Sequence, residues 1–287
     1  MSKNLKQTLA NFNELVMFKH SIFSLPFIFI AMIVASNGWF GFKLLLLGLL
    51  AALSARNFAM GVNRYLDRDI DALNPRTKNR PSVDGRVSEK EMIIFIFLNA
   101  FIFVSTAWMI NKLAFWLSFP ILLILGGYTL FKRFSALAHF VLGISLGLAP
   151  IAGVVAVKGA IPLWSIFLAL GVTFWVAGFD LLYSLQDIEF DKAHNLYSIP
   201  SRLGVKKTLL LAKISHIFTI FFWALFVKEA SLGIFGWIGV AVSALMLGYE
   251  HYLIHKDFKK IDKAFFTVNG YLGFIFFVLI IFDEVLK

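Results

Sequence analysis

Successive runs of about twenty apolar residues, divided by short polar breaks, constrain this 287-residue chain more than any other feature. Lipid offers no partner to an unbonded backbone group, so each run must cross a bilayer as a helix. Hydropathy places nine spans, near 21–38, 43–66, 92–110, 113–131, 136–157, 162–187, 208–227, 232–254 and 266–284. Connectors such as "NGWFGF" (38–43) and "VKGAIP" (157–162) separate them. The expected fold class is all-α and polytopic, one membrane domain over residues 1–287. Residues 1–20 read as polar and amphipathic, with no cleavable signal. The chain has no cysteine, which excludes disulfides and thiolate chemistry.

Net charge is +10, and most of it reads as orientation rather than as a nucleic-acid surface. Laid on the nine spans, twenty lysines and arginines fall on the side of the N-terminus. Only Lys43, Lys112, Lys158, Lys228 and Lys287 fall on the other, while Arg56 and Lys213 lie inside spans. The N-terminus is therefore expected in the cytoplasm, in a cytoplasmic or inner membrane. Loop "DFKKIDK" (257–263) fits contact with anionic lipid.

Orientation does not call for acids, yet two clusters of them sit at the cytoplasmic ends of spans 2 and 6. In "NRYLDRDIDALNPRTKNRP" (63–81), Asn63, Asp67 and Asp71 are spaced i, i+4, i+8 and stack on one helical face. In "GFDLLYSLQDIEFD" (178–191), Asp180, Tyr183 or Ser184, Asp187 and Asp191 form a similar stripe. Asp69 and Glu189 point elsewhere and read as solvated. Carboxylates four apart repel one another, so such stacks need a cation between them. Oxygen ligands without nearby Cys or His suit Mg²⁺, which takes one or two carboxylates and lets substrate phosphates complete its shell. Arg76, Lys78 and Arg80 follow the first acids at once, and acids for metal beside cations for phosphate make a diphosphate site. Two clusters four spans apart on one face imply a parallel repeat. Spans 1–4 (about 15–133) and 5–8 (about 134–255) would face each other across a central cavity, with span 9 (about 266–284) outside the repeat.

Asn63-x-x-x-Asp67-x-x-x-Asp71 with "NPRTKNRP", then "DLLYSLQDIEFD", "ARNFAMGVNR" (55–64) and "SIPSRLG" (198–204), resembles the UbiA superfamily of intramembrane prenyltransferases along essentially the whole chain. The resemblance implies nine helices and Mg²⁺-dependent transfer of a polyprenyl group from its diphosphate to an aromatic acid. It implies Asn63, Asp67 and Asp71 around one Mg²⁺, and Asp187 and Asp191 around a second. Arg76, Arg80, Lys78, Lys132 and Arg133 would grip the diphosphate, with Tyr128, Asp180 and Tyr183 lining the cavity. Arg56, a charge inside a span about two turns before Asn63, is a functional candidate on cost alone. It would pair with the acceptor's carboxylate.

Ionisation of the diphosphate would leave an allylic cation for a phenol-like ring to attack. The ring proton would pass to Asp180, Asp191 or the diphosphate, in a dry aromatic cavity. Segment 178–204 is similar to the menaquinone branch served by the futalosine route, whose acceptor is a dihydroxynaphthoate. That branch is commonly grouped with 4-hydroxybenzoate polyprenyltransferases. A cation-coupled transporter is the rival reading, though transporter sites favour broken helices at the midplane. Lys19 and His20 read as interfacial anchors or substrate contacts. His139, His216, His251 and His255 read as interfacial. Glu250 reads as a snorkelling end residue or a cavity acid. No protein partner is implied.

Overall fold

The computed structural model describes residues 5–17, 25–258 and 261–287, so Lys19 and His20 lie outside the described residues. Helices run α1 (Leu5–Leu15), α2 (Leu25–Ser36), α3 (Phe42–Leu66), α4 (Arg68–Leu73), α5 (Glu89–Ile110), α6 (Lys112–Gly127), α7 (Ala138–Lys158) and α8 (Leu163–Tyr183). They continue as α9 (Ile188–Ala193), α10 (Ile199–Glu229), α11 (Ile234–Lys256), α12 (Ile261–Lys263) and α13 (Asn269–Val285). Eight described helices are long and apolar enough to span a membrane. The first expected span is represented by α2, which has 12 described residues and is shorter than the others.

Local chemistry sets the boundaries. Ser88 and Glu91 form a capping box at the start of α5, and Ser198 and Ser201 one at the start of α10. Asn111 caps α6 through the Ala114 amide and also donates to Val155 O on α7 at 2.7 Å. Asp283, buried at the far end of α13, accepts from the amides of Gly233, Phe235 and Gly236 and caps α11 from another helix.

The core gathers on α8, which packs between α7 and α10. Trp175, Trp223, Phe27 and Phe276 interlock there at 0% exposure, with ring centroids about 5–6 Å apart. The α7–α8 crossing is close because Gly143 and Gly147 present no side chain. A Cβ at either would collide with Thr173 on α8.

A buried polar cluster joins four helices on the C-terminal side. Trp175 Nε1 donates to Asn269 Oδ1 (2.7 Å), Asn269 Nδ2 donates to Glu250 Oε1 (2.8 Å), and His216 meets His251 at 3.0 Å. Glu250 is 0% exposed and therefore neither snorkels nor lines the cavity described below. His216 is buried inside the bundle, not at an interface, and His251 beside it is half-buried. The error has a plain cause: hydropathy cannot show which face of a span turns inward.

Candidate active site

Both acid motifs break their helices at an aspartate. α3 ends at Leu66, Asp67 takes φ −96°, ψ 5°, and α4 restarts at Arg68. α8 ends at Tyr183, a 3₁₀ turn follows (Ser184–Asp187), Asp187 takes φ −101°, ψ 5°, and α9 restarts at Ile188. The expected continuous helices are thus kinked at the very carboxylates of interest. Amides still reach back four residues, from Asp67 to Asn63 O (3.0 Å) and from Asp71 to Asp67 O (2.8 Å), so the three side chains keep their stacking.

Asp67 is 2% exposed, and its Oδ2 receives three donors. These are Asn63 Nδ2 (2.8 Å), Thr129 Oγ1 (2.7 Å) and Lys132 Nζ (2.7 Å). Thr129 and Lys132 reach one oxygen because they lie on a 3₁₀ turn (Tyr128–Arg133), where residues i and i+3 eclipse. Asp67 Oδ1 is buried with no partner among the described residues. Asp71 is buried and pairs with Arg80 at 2.6 Å. Arg76 spans the two motifs. It grips Asp187 with two nitrogens (3.1 and 2.5 Å) and donates to Tyr183 OH at 3.0 Å. Asn74 aims Arg76 by accepting its amide in a tight turn, and places its own amide 3.4 Å from Asp187. Phe265, on a π-helical turn (Ala264–Val268), lies against Tyr183 at 4.2 Å.

Above these charges runs a cavity of about 410 Å³. Arg56, Arg64, Arg76, Arg80, Tyr128, Asp180 and Tyr183 line its polar end. Its shaft is lined by small and aliphatic side chains, among them Gly48, Ala52, Ala107 and Ala156. From Arg64 to Gly48 is sixteen residues of α3, about 24 Å at helical rise. Arg56 NH2 donates to Met17 O (2.7 Å), while its NH1 is buried without a partner among the described residues. Arg64, assigned to orientation in the sequence, is buried and donates to Leu15 O and Asn63 Oδ1.

Some expected site residues stand elsewhere. Arg133 is turned from the cavity to a two-pronged pair with Asp69 (3.0 and 2.7 Å) and to Leu66 O. Asp69 is therefore partnered, and Arg133 holds its carboxyl below the ordinary range. Lys78 is exposed and off the cavity wall. Asn63, Asp67, Asp71, Lys132, Asp187 and Asp191 do not line the cavity. Thr129, Asn74, Arg64 and His139 were missed. His139 is buried, with Nδ1 2.7 Å from Asp180 Oδ2, and its position inside a span was the signal that could have found it.

A hard divalent cation fits this donor set, since every candidate ligand offers oxygen and Asp67 Oδ1 is buried and unmatched. Among the described residues no three acids or histidines converge closely enough to hold an ion alone. Phosphate oxygens would have to complete the shell.

A membrane bundle whose long apolar shaft opens onto arginines and paired carboxylates is built for an amphiphile with an anionic head. The chain belongs to the UbiA prenyltransferase family, which it matches over residues 24–280, and it is a prenyltransferase. It shares 26% identity over 265 residues with 4-hydroxybenzoate octaprenyltransferase of Herminiimonas arsenicoxydans, covering 90% of each chain. An enzyme of the same name from Cupriavidus pinatubonensis is 28% identical over 219 residues, 76% of each. Among solved structures, the apo UbiA homologue of Aeropyrum pernix superimposes with a TM-score of 0.84 at 32% identity, covering 92% of this chain and 98% of that one. The Archaeoglobus fulgidus homologue bound to GPP and Mg²⁺ shares the fold, with a TM-score of 0.77 at 20% identity over 96% and 100%.

Proposed function

We propose that this enzyme moves a polyprenyl group from its diphosphate onto an aromatic acid in respiratory quinone biosynthesis, with Mg²⁺ and an active site open to the cytoplasm. One observation carries the reading. Arg76, from the loop after the first acids, clasps Asp187 of the second motif at the mouth of an apolar shaft. Asn63, Asp67 and Asp71 would hold one cation, and Asp187 and Asp191 another. A metal held there would supply positive charge to offset that of the leaving diphosphate.

The rest is the work of this chain's own residues. Arg76, Arg80 and Lys132 complement the diphosphate, the shaft takes the isoprenoid, and the unmatched NH1 of Arg56 takes the acceptor's carboxylate. Tyr128 and Tyr183 line the space between. Exclusion of water protects the electron-poor allylic carbon. The excess of basic residues on the side of the N-terminus, which persists without the buried Arg64, supports the cytoplasmic opening. The similar breaks at Asp67 and Asp187 support the parallel repeat.

The names of the sequence relatives favour 4-hydroxybenzoate as acceptor. The likeness of segment 178–204 to the menaquinone branch favours a dihydroxynaphthoate. Membranes containing the protein should convert labelled polyprenyl diphosphate plus one of these acids to prenylated product with Mg²⁺. Chelation should stop the reaction. Absence of product with either acid would sink the reading, and the identity of a product decides the acceptor.

A further inference from the structure

The seam between α7 and α8 carries a pair that the diphosphate chemistry does not use. Along α8, Thr173, Ala177 and Asp180 follow one another on a face. Along α7, Gly147, Gly143 and His139 do the same. The glycine layers let the helices close until Thr173 fills the place of a side chain. His139 and Asp180 form the last layer of this seam, at its acid-motif end, 2.7 Å apart. His139 is 5% exposed, whereas the Asp180 side chain is 22% exposed and faces the cavity. The histidine is thus a fixed part of the wall, and the carboxylate is what a substrate would meet.

The hydrogen bonding settles how they divide the work. Asp180 Oδ2 lies against His139 Nδ1, and among the described residues no donor reaches Asp180 Oδ1. His139 Nε2 is buried without a partner among the described residues. A ring N–H at Nδ1 donating to Asp180 Oδ2 matches this 2.7 Å contact. That hydrogen fixes the carboxylate rotamer and leaves Oδ1 as the free acceptor.

We propose that His139 is a positioning residue for Asp180, turning Oδ1 to the cavity so that Asp180 accepts the proton released by the aromatic substrate. This rests on the prenyl-transfer reading. The ring carbon bonds to the allylic carbon of the donor, the allylic C–O bond breaks, and diphosphate leaves with the electron pair. The proton on the attacked ring carbon passes to Asp180 Oδ1, restoring aromaticity. The carboxyl then returns its proton to water at the cavity mouth.

The test compares three variants of the purified enzyme by kcat, by KM for each substrate, and by direct binding of prenyl diphosphate with Mg²⁺. His139→Leu should lower kcat by about 10²-fold, the scale of a positioned general base, while donor KM and binding stay within about twofold. His139→Asn carries an amide nitrogen the same number of bonds from Cα as Nδ1 and should recover about tenfold of that loss. His139→Gln, with its nitrogen one bond farther out, should not. If the leucine variant does not purify, the asparagine–glutamine contrast decides alone. Equal rates for the leucine variant and wild type, or no advantage of asparagine over glutamine, would overturn the assignment. If the wild type makes no product with either aromatic acid, the prenyl-transfer reading fails instead, so the two failures are distinct.

Discussion

At the scale of residues, the site is organised by arginines that differ in what they already hold. Arg76 has charge-assisted bonds to Asp187, a cavity face and a loop that aims it. Arg76→Ala should therefore raise the donor KM by about 10- to 100-fold, since one such bond is worth about 1.5–3 kcal/mol. Arg133→Ala should leave that constant nearly unchanged, because Arg133 is spent on Asp69 and Leu66 O. Steady-state kinetics on both variants separates these roles. Arg56→Ala should raise KM for the aromatic acid and spare that for the donor; parallel rises in both constants would make Arg56 structural. Asp67→Ala should abolish turnover while the protein still inserts and purifies, because its neighbours Asn63, Thr129 and Lys132 all converge on that one carboxylate. Near-normal turnover of that variant would refute the metal role.

At the scale of elements, function depends on where helices stop. Asp67 sits in the bridge region of backbone space between α3 and α4, and Asp187 between a 3₁₀ turn and α9, so Asp71 and Asp191 stand on short helices of their own. Short polar devices of this kind can be tested away from the chemistry. Asp283 caps α11 through three amides far from the acid motifs, so Asp283→Ala should cost about 1–2 kcal/mol of stability and leave kcat intact. A lower melting temperature in detergent with unchanged turnover is the expected pair of results.

At the scale of the molecule, α3, α5, α6 and α7 together line the shaft that the proposed function gives to the isoprenoid tail. Ala52 lies on its wall twelve residues before Arg64, about 18 Å deeper along α3. Ala52→Phe should shift preference toward shorter donors and keep turnover of the shortest, measured by competing diphosphates of graded length. A general loss with every donor would mean that the substitution disturbs packing rather than shaft depth.

The sequence alone determined that the chain spans a membrane as helices, that two groups of acids lie at matching ends, and that arginines follow the first. These are one-dimensional properties: hydropathy acts through a fixed helical rise, and repelling carboxylates betray themselves by spacing. Only the tertiary structure decided which charges face inward. Arg76 lines the cavity while Lys78 in the same loop stays exposed, and Lys132 pairs with Asp67 while its neighbour Arg133 turns to Asp69; Arg64, Thr129, His139 and the Glu250 cluster turn inside. In a span apolar all round, sequence carries no rotational signal, and the close α7–α8 crossing at Gly143 and Gly147 sets which face of each helix meets the site.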